Sequence, residues 1–246
     1  MSSLSRRAFV TGASAMGLSL GLAGCASTQT VWPLAAAPAP ALATSEPLAD
    51  TGAPYDYRAI YAAIDDDQFP IPAIDLKKVD PAFLRASVDY DTDQPAGTIV
   101  IDTRTHYLHH VLGGGRATRY GVGVGREGFV WAGEANIHSK QEWPDWYPPK
   151  EMIQRQPEIK AEMSQLQSGI GMAGGIGNPL GARAMYLWQG NKDTLFRIHG
   201  TVEPWTIGKS VSSGCIRMIN QDVIDLYDKV EIGTKVVVLG KGSPIG

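Results

Sequence analysis

Cysteine is nearly absent: the 246 residues contain two, Cys25 and Cys215. Cys25 lies in what reads as an export signal, so Cys215 is left with no partner for a structural disulfide. Runs of basic charge are also missing. With 22 Lys and Arg against 25 Asp and Glu and a formal charge of -3, no stretch of five or more basic residues occurs, which excludes nucleic acid as an expected partner. The longest weakly apolar stretch, Ala8 to Ala23, is too short and too rich in Gly, Ala and Ser to span a membrane stably. Metal-ligand spacing is lacking as well. His106, His109 and His110 have no accompanying Cys or carboxylate cluster, and Asp65-Asp66-Asp67 lacks the Gly and Glu of a calcium loop and reads as a solvated face. Gly123-Val124-Gly125-Arg126-Glu127-Gly128 spells G-x-G-x-x-G, yet strand-like Phe129-Val130-Trp131 follows where a helix should begin, which argues against a nucleotide site. Neither cofactor nor metal is expected.

What is present begins with an address. Ser5-Arg6-Arg7-Ala8-Phe9-Val10 has the form of a twin-arginine signal, and Leu22-Ala23-Gly24-Cys25 that of a bacterial lipobox. Cleavage there would leave Cys25 first and lipidated, on the exported, periplasmic side of a bacterial membrane; ordinary cleavage nearby would leave it a spare thiol. Loss of Arg6 and Arg7 moves the formal charge from -3 to -5. Residues 26–54, with Pro33, Pro38, Pro40, Pro47 and Pro54 among alanines, cannot bury a core and read as an extended tether. The expected organisation is a signal segment at 1–25, a linker at 26–54, an N-terminal extension at 55–96 and a folded domain at 97–240. In the extension, Tyr57 to Ile64 can form a short helix and Pro70 to Leu84 can pack on the domain.

The folded part has the periodicity of strands. Ile99, Ile101 and Thr103 alternate with Val100 and Asp102, Tyr107 to Leu112 follows, and Gly113-Gly114-Gly115 closes a hairpin onto Ala117 to Val124. Phe129 to Ile137, Arg183 to Gln189, Leu195 to His199 and Lys235 to Leu239 are further strands by the same criterion. Asn220 is placed to cap a helix over 221–230 whose apolar residues share one face, with Gly233 as its stop. Lys150 to Gln167 is amphipathic but broken by Pro157, which predicts two short pieces with a kink. The fold class is therefore mostly β, with a short helical insertion and one C-terminal helix. Between the strands lie two long loops, Trp143 to Pro149 and Gly169 to Pro179. Trp143 and Trp146 can line a cleft or cover the edge of the core.

Cys215, in Val211-Ser212-Ser213-Gly214-Cys215-Ile216-Arg217-Met218, follows His199 of Ile198-His199-Gly200-Thr201 by 16 residues. A thiol needs a base to react as thiolate at neutral pH, and His199 leaves an apolar strand for a glycine turn, as a residue at a cleft rim would. Paired, they predict a thiolate and an imidazolium. The small Ser213-Gly214-Cys215 turn can aim successive amides at an oxyanion. Arg217, two positions on, shares a strand face with Cys215 and can hold a carboxylate or serve as an ordinary ion-pair arginine. Taken alone, a core histidine and a buried thiol are the commoner readings; the whole string is what points to chemistry.

The stretch from about Gly97 to Leu239 resembles the catalytic domain of the L,D-transpeptidases, bacterial cell-wall enzymes. The resemblance rests on Ile198-His199-Gly200-Thr201, on Ser212 to Met218 and on the spacing between them, with Tyr120 to Gly125 and Gly177 to Arg183 as further similar segments. It implies a β-sandwich-like fold whose cysteine attacks a stem tetrapeptide at the L-centre of diaminopimelate, releases D-alanine and passes the acyl group to an amine of another stem as a 3-3 cross-link. By the same resemblance Cys215 is the nucleophile, His199 the base and acid, and Ser213, Gly214 and Cys215 the oxyanion donors. The Gly200 carbonyl orients the imidazole. Many relatives carry histidine where this chain has Ser213, so His199 would transfer protons alone. Water as acceptor would give an L,D-carboxypeptidase, and a protein lysine an anchoring enzyme. A silent wall-binding module is the alternative from outside catalysis.

Overall fold

The computed structural model describes residues 55–126, 131–212 and 214–240. The signal, lipobox and linker expectations therefore fall outside the described residues, as does Ser213. The chain enters through the short helix α1 (Tyr57–Ile60), capped by the Asp56 carboxylate, which accepts from the Arg58 and Ala59 amides at 3.1 and 3.2 Å. Strand β1 (Ala86–Asp89) follows, then β2 (Ile99–Asp102), β3 (Tyr107–Gly113), β4 (Arg116–Gly121), β5 (Val124–Gly125) and β6 (Gly133–Glu142). An insertion holds helix α2 (Lys150–Arg155), a 3-10 turn at Pro157–Glu162 and the small hairpin β7 (Ser164–Leu166) and β8 (Gly169–Gly171). Next come β9 (Arg183–Gln189), β10 (Lys192–His199), β11 (Ser210–Ser212), β12 (Ile216–Arg217), helix α3 (Asn220–Lys229) and β13 (Lys235–Leu239).

Nine strands form one mixed sheet in the order β1-β4-β3-β2-β13-β6-β9-β10-β12. Its β2–β13 and β10–β12 neighbours are parallel. The sheet curls back on itself: Gly123 and Arg217 exchange backbone hydrogen bonds of 2.9 and 2.8 Å, tying the last strand to the segment after β4. Alternation decides what the curl encloses. Ile99, Ile101, Leu108 and Tyr120 from one half meet Ile137, Met185, Leu187 and Ile198 from the other, all fully buried, and Val223 and Leu226 of α3 fill the middle. Each such side chain contributes about 1.5–3 kcal/mol of transfer free energy. The three glycines of the β3–β4 turn all take positive φ, which closes the hairpin as the sequence predicts. Pro157 separates α2 from the 3-10 turn, as expected, but the second helical piece ends at Glu162 and Ser164–Leu166, expected in it, form β7.

Two further expectations need correction. Asn220 does not cap α3. The helix starts at Asn220 itself, with Ile219 at the cap position, and the Asn220 side chain instead accepts the Ala182 amide at 3.1 Å. Asp67 does not lie on a solvated face with Asp65 and Asp66. Its carboxylate meets Arg183 at 2.8 Å and accepts from the Trp143 indole at 2.6 Å, with 9% of its side chain exposed. A buried guanidinium on β9 draws it in.

The extension is part of the domain's packing. Its β1 pairs with β4 in the main sheet. Tyr61, Val79 and Leu84 form a second core with Ile207 and Ile219, and Ile71 forms a third with Trp143 and Ala182. Trp143 is thus buried at the edge of the core, and the same residue lines a cavity described below.

Candidate active site

The last strands present two faces. Ile198 of β10, Ile216 of β12 and Met185 of β9 point into the core. The alternate residues, Tyr186, Arg197, His199, Cys215 and Arg217, therefore occupy the opposite face. The parallel ladder pairs Ile198 with Ile216 and His199 with Arg217. This register sets Cys215 beside Arg197 and two positions from His199 on the neighbouring strand. Strand spacing and rise place the two Cα atoms roughly 8 Å apart, close enough for the side chains to converge.

Each partner is held locally. The His199 carbonyl accepts from the Met218 amide at 2.8 Å, and the Gly200 amide donates to Arg183 at 3.0 Å. His199 Nδ1 lies 2.6 Å from the Gly200 carbonyl, so in the neutral ring Nδ1 carries the hydrogen and Nε2 keeps its lone pair. Glycine is required at both turns here: a Cβ on Gly200 would collide with Asn220 Oδ1, and Gly181, at φ +63, would put one against the same oxygen and within 2.8 Å of Gly200. Around the thiol, the Ser212 hydroxyl donates to the Cys215 carbonyl at 2.7 Å and accepts from the Gly214 amide at 3.2 Å. Gly214 takes φ +130, which its missing Cβ permits. In this resting arrangement the Gly214 amide is occupied by Ser212.

The thiol is half-buried, and its Sγ lies 4.0 Å from the Leu195 carbonyl. Burial raises the Cys215 pKa above the usual thiol value, against the Arg197 amide and the Arg197 and Arg217 guanidinium groups, which favour the thiolate. Burial also pushes His199 down, to about 4, outweighing the Gly200 carbonyl. The sequence predicts a thiolate–imidazolium pair, whereas enclosure drives both groups to their neutral forms.

Arg217 is engaged. Its Nη1 sits 3.0 Å from Glu203 Oε2, with 20% of the arginine and 46% of the glutamate side chain exposed. Arg197 was missed by sequence reasoning, although its place two residues before His199 puts it on the same strand face. It pairs with both oxygens of Asp193 at 2.8 Å and lies 4.5 Å over the Tyr186 ring. Between them a bulge in β10 forces Leu195 to φ +65 and leaves it 75% exposed. Bulges beside functional sites commonly re-aim side chains, and no periodicity announces them.

Fold and site together define the class: a curled mixed-sheet domain whose last two strands carry a cysteine and a histidine on one face. Residues 96–238 match the YkuD L,D-transpeptidase catalytic domain, and the chain belongs to that family. Among curated proteins, "Probable L,D-transpeptidase ErfK/SrfK" of Escherichia coli strain K12 is 32% identical over 124 residues, 48% of this chain and 36% of that protein. The homologue YqjB of Bacillus subtilis strain 168 is 29% identical over 142 residues, 57% of this chain and 69% of its own. A crystal structure from Brucella melitensis, described as a probable carnitine operon oxidoreductase, is 53% identical and covers 67% of this chain and 99% of its own, with a TM-score of 0.44. The match spans about a third of the length of the Escherichia coli relative, 36%.

Proposed function

We propose that the protein is a peptidoglycan L,D-transpeptidase that works through a thioester on Cys215. The observation that carries this reading is the parallel register of His199 against Arg217, which puts the imidazole and the thiol on one face of adjacent strands. Because both groups rest neutral, His199 Nε2 takes the S–H proton as the sulfur attacks the diaminopimelate carbonyl, rather than before. The tetrahedral oxyanion is received by the amides of the Ser213-Gly214-Cys215 turn, with the Gly214 amide freed as the Ser212 hydroxyl turns away. Collapse breaks the C–N bond, and the imidazolium returns the proton to the departing D-alanine amine. In the second half an amine of another stem attacks the thioester, His199 again accepts a proton, and the thiol leaves with it. The Gly200 carbonyl, at 2.6 Å from Nδ1, stabilises the imidazolium formed in each half. No acidic third member is needed.

Arg217 holds a substrate carboxylate in this scheme by exchanging it for Glu203. Export and lipidation of Cys25, with residues 26–54 as a tether, would place the domain at the wall from the periplasmic side.

The test is incubation of the purified protein with disaccharide-tetrapeptide, followed by mass analysis. A cross-linked dimer lacking one D-alanine, absent with Cys215→Ala, is the expected product. Tripeptide alone would assign the L,D-carboxypeptidase reaction, and unchanged substrate with no acyl-enzyme would overturn the catalytic reading in favour of a wall-binding module.

A further inference from the structure

A cavity of about 320 Å³ opens beside the site, between the extension and the loop that follows His199. Its walls are mostly apolar, with Pro70 and Pro72 from the extension and Trp143, Trp205, Ile176 and Val202 from the domain. Those last three are 47%, 56% and 38% exposed, an apolar rim turned to solvent. An exposed apolar rim around a cavity is a candidate binding surface.

One polar group on its wall is fixed in orientation. Asn220 lines the cavity, and its Oδ1 is held by the Ala182 amide at 3.1 Å, which sets the orientation of the amide group. Among the described residues Nδ2 has no partner, so a donor of set orientation stands at a mostly apolar wall. Asp75 and Lys78 also line the cavity, 3.8 Å apart and largely exposed to solvent, with no net charge between them.

We infer that this cavity binds an N-acetylated sugar ring. The inference rests on the peptidoglycan reading, since the ring would come from the substrate's own glycan. An alkyl chain would leave the Asn220 donor unpaired, and a charged peptide end would find only the solvent-screened Asp75–Lys78 pair, with no net charge to favour it. A sugar ring can lay its C–H face on the Trp205 indole while an acetamido carbonyl accepts from Asn220. The position suits a stem-bearing glycan. Thr201, on the wall, is two residues from His199, a chain distance of at most about 8 Å between Cα atoms. Nearly half of the lining residues fall in 70–78, outside the family match at 96–238. Recognition of the glycan therefore draws on residues outside the matched domain.

The test uses Cys215→Ala full-length protein titrated calorimetrically with N,N'-diacetylchitobiose and, as the same rings without acetamido groups, cellobiose. Saturable chitobiose binding at least tenfold tighter than cellobiose is expected. Asn220→Asp keeps the acceptor for Ala182 but removes the donor and should weaken chitobiose binding tenfold or more; Trp205→Ala should abolish it and Trp205→Phe retain part. Absence of saturable binding, equal binding of both sugars, or affinity unchanged in the Asn220 and Trp205 variants would overturn the site. Sugar binding without tetrapeptide turnover by the unsubstituted protein would leave the site standing and remove the catalytic reading, and turnover without sugar binding would do the reverse.

Discussion

Tyr61 donates its hydroxyl hydrogen to Asp222 at 3.1 Å, in the buried seam between the extension and the helix that follows the cysteine motif. The same hydroxyl accepts the Arg85 amide at 2.8 Å, and the Arg85 side chain reaches both Asp222 and Asp225. Next to them Gln221 donates to the Ala62 and Pro72 carbonyls at 3.0 and 3.1 Å. Helix α3, which begins five residues after Cys215, is thus bolted to the extension through Gln221, Asp222 and Asp225.

This seam titrates. Burial raises the Asp222 pKa from its usual carboxylate value of 3.8 to about 7, against the pull of Arg85. In the unfolded chain the group ionises near the usual value, so between those limits the folded state holds the extra proton. Its contribution to stability is full below about pH 4 and is lost as pH rises through 7. Asp222→Asn removes that dependence. Urea melts at pH 8, 7, 6 and 5 should therefore show the unsubstituted protein gaining on the variant as pH falls, by up to about 1.4 kcal/mol per unit. Comparing the two proteins cancels the histidines, His109, His110 and His199, whose lowered values act in the opposite direction. A constant difference across the range would refute the assignment.

The nucleophile provides a second pH test. With the thiol raised and the imidazole lowered to about 4, alkylation by iodoacetamide should be slow at pH 6 and climb roughly tenfold per unit through pH 8. A rate at pH 6 equal to that at pH 8 would mean a standing thiolate–imidazolium pair. Enzymatic acylation should behave differently, because His199 remains a competent base down to its own value: as far as that base is concerned, activity should hold from pH 8 to 5 and fail below about 4.

Much of this arrangement was legible in the letters. Alternation in 99–112 and 183–199 gave the strands, and Gly113 to Gly115 gave the turn, because period and turn chemistry are local. His199 and Cys215 were singled out through their spacing. What escaped depends on distant partners. Asp67 looks like one of three solvated acids until Arg183, 116 positions away, is seen to need a counter-ion. Asn220 carries the signature of a cap, yet the glycine turns at 181 and 200 bring Ala182 to it instead. The depressed thiol pKa expected from residue types was reversed by burial, which no motif encodes.

Gly200→Ala should be costly out of proportion to one methyl group. The new Cβ would fall on Asn220 Oδ1 and lie 3.1 Å from the Ala182 amide, in a turn whose own carbonyl orients His199. Overpacking of this kind typically costs about 1–3 kcal/mol. Chemical denaturation should register that loss, and acylation measured on the still-folded protein should drop at least tenfold. Gly190→Ala, where a Cβ meets nothing within 4 Å, is the comparison: its φ of +53 predicts a modest strain cost and no effect on acylation. Equal acylation defects in the two variants would show that the clash at Gly200 has no special bearing on the site.

Asp67→Ala should be the most destabilising single change in the extension. The carboxylate and Arg183 each leave 9% of the side chain exposed, and Trp143 donates to the same carboxylate. Removing the acid strands a buried guanidinium; Glu142, 3.7 Å from Arg183 and 57% exposed, can return only part of the compensation. Breaking one side of a buried pair costs about 3–5 kcal/mol. Asp67→Asn keeps an acceptor for the indole and should lose less. Because Arg183 opens β9 and its carbonyl receives the Gly200 amide, the damage should reach the histidine turn. Melting temperature and acylation should fall together in Asp67→Ala, and the paired variant Asp67→Ala with Arg183→Met should recover melting temperature relative to Asp67→Ala alone. If the second substitution instead adds its own full cost, the two charges are not coupled and the extension is held by its apolar contacts.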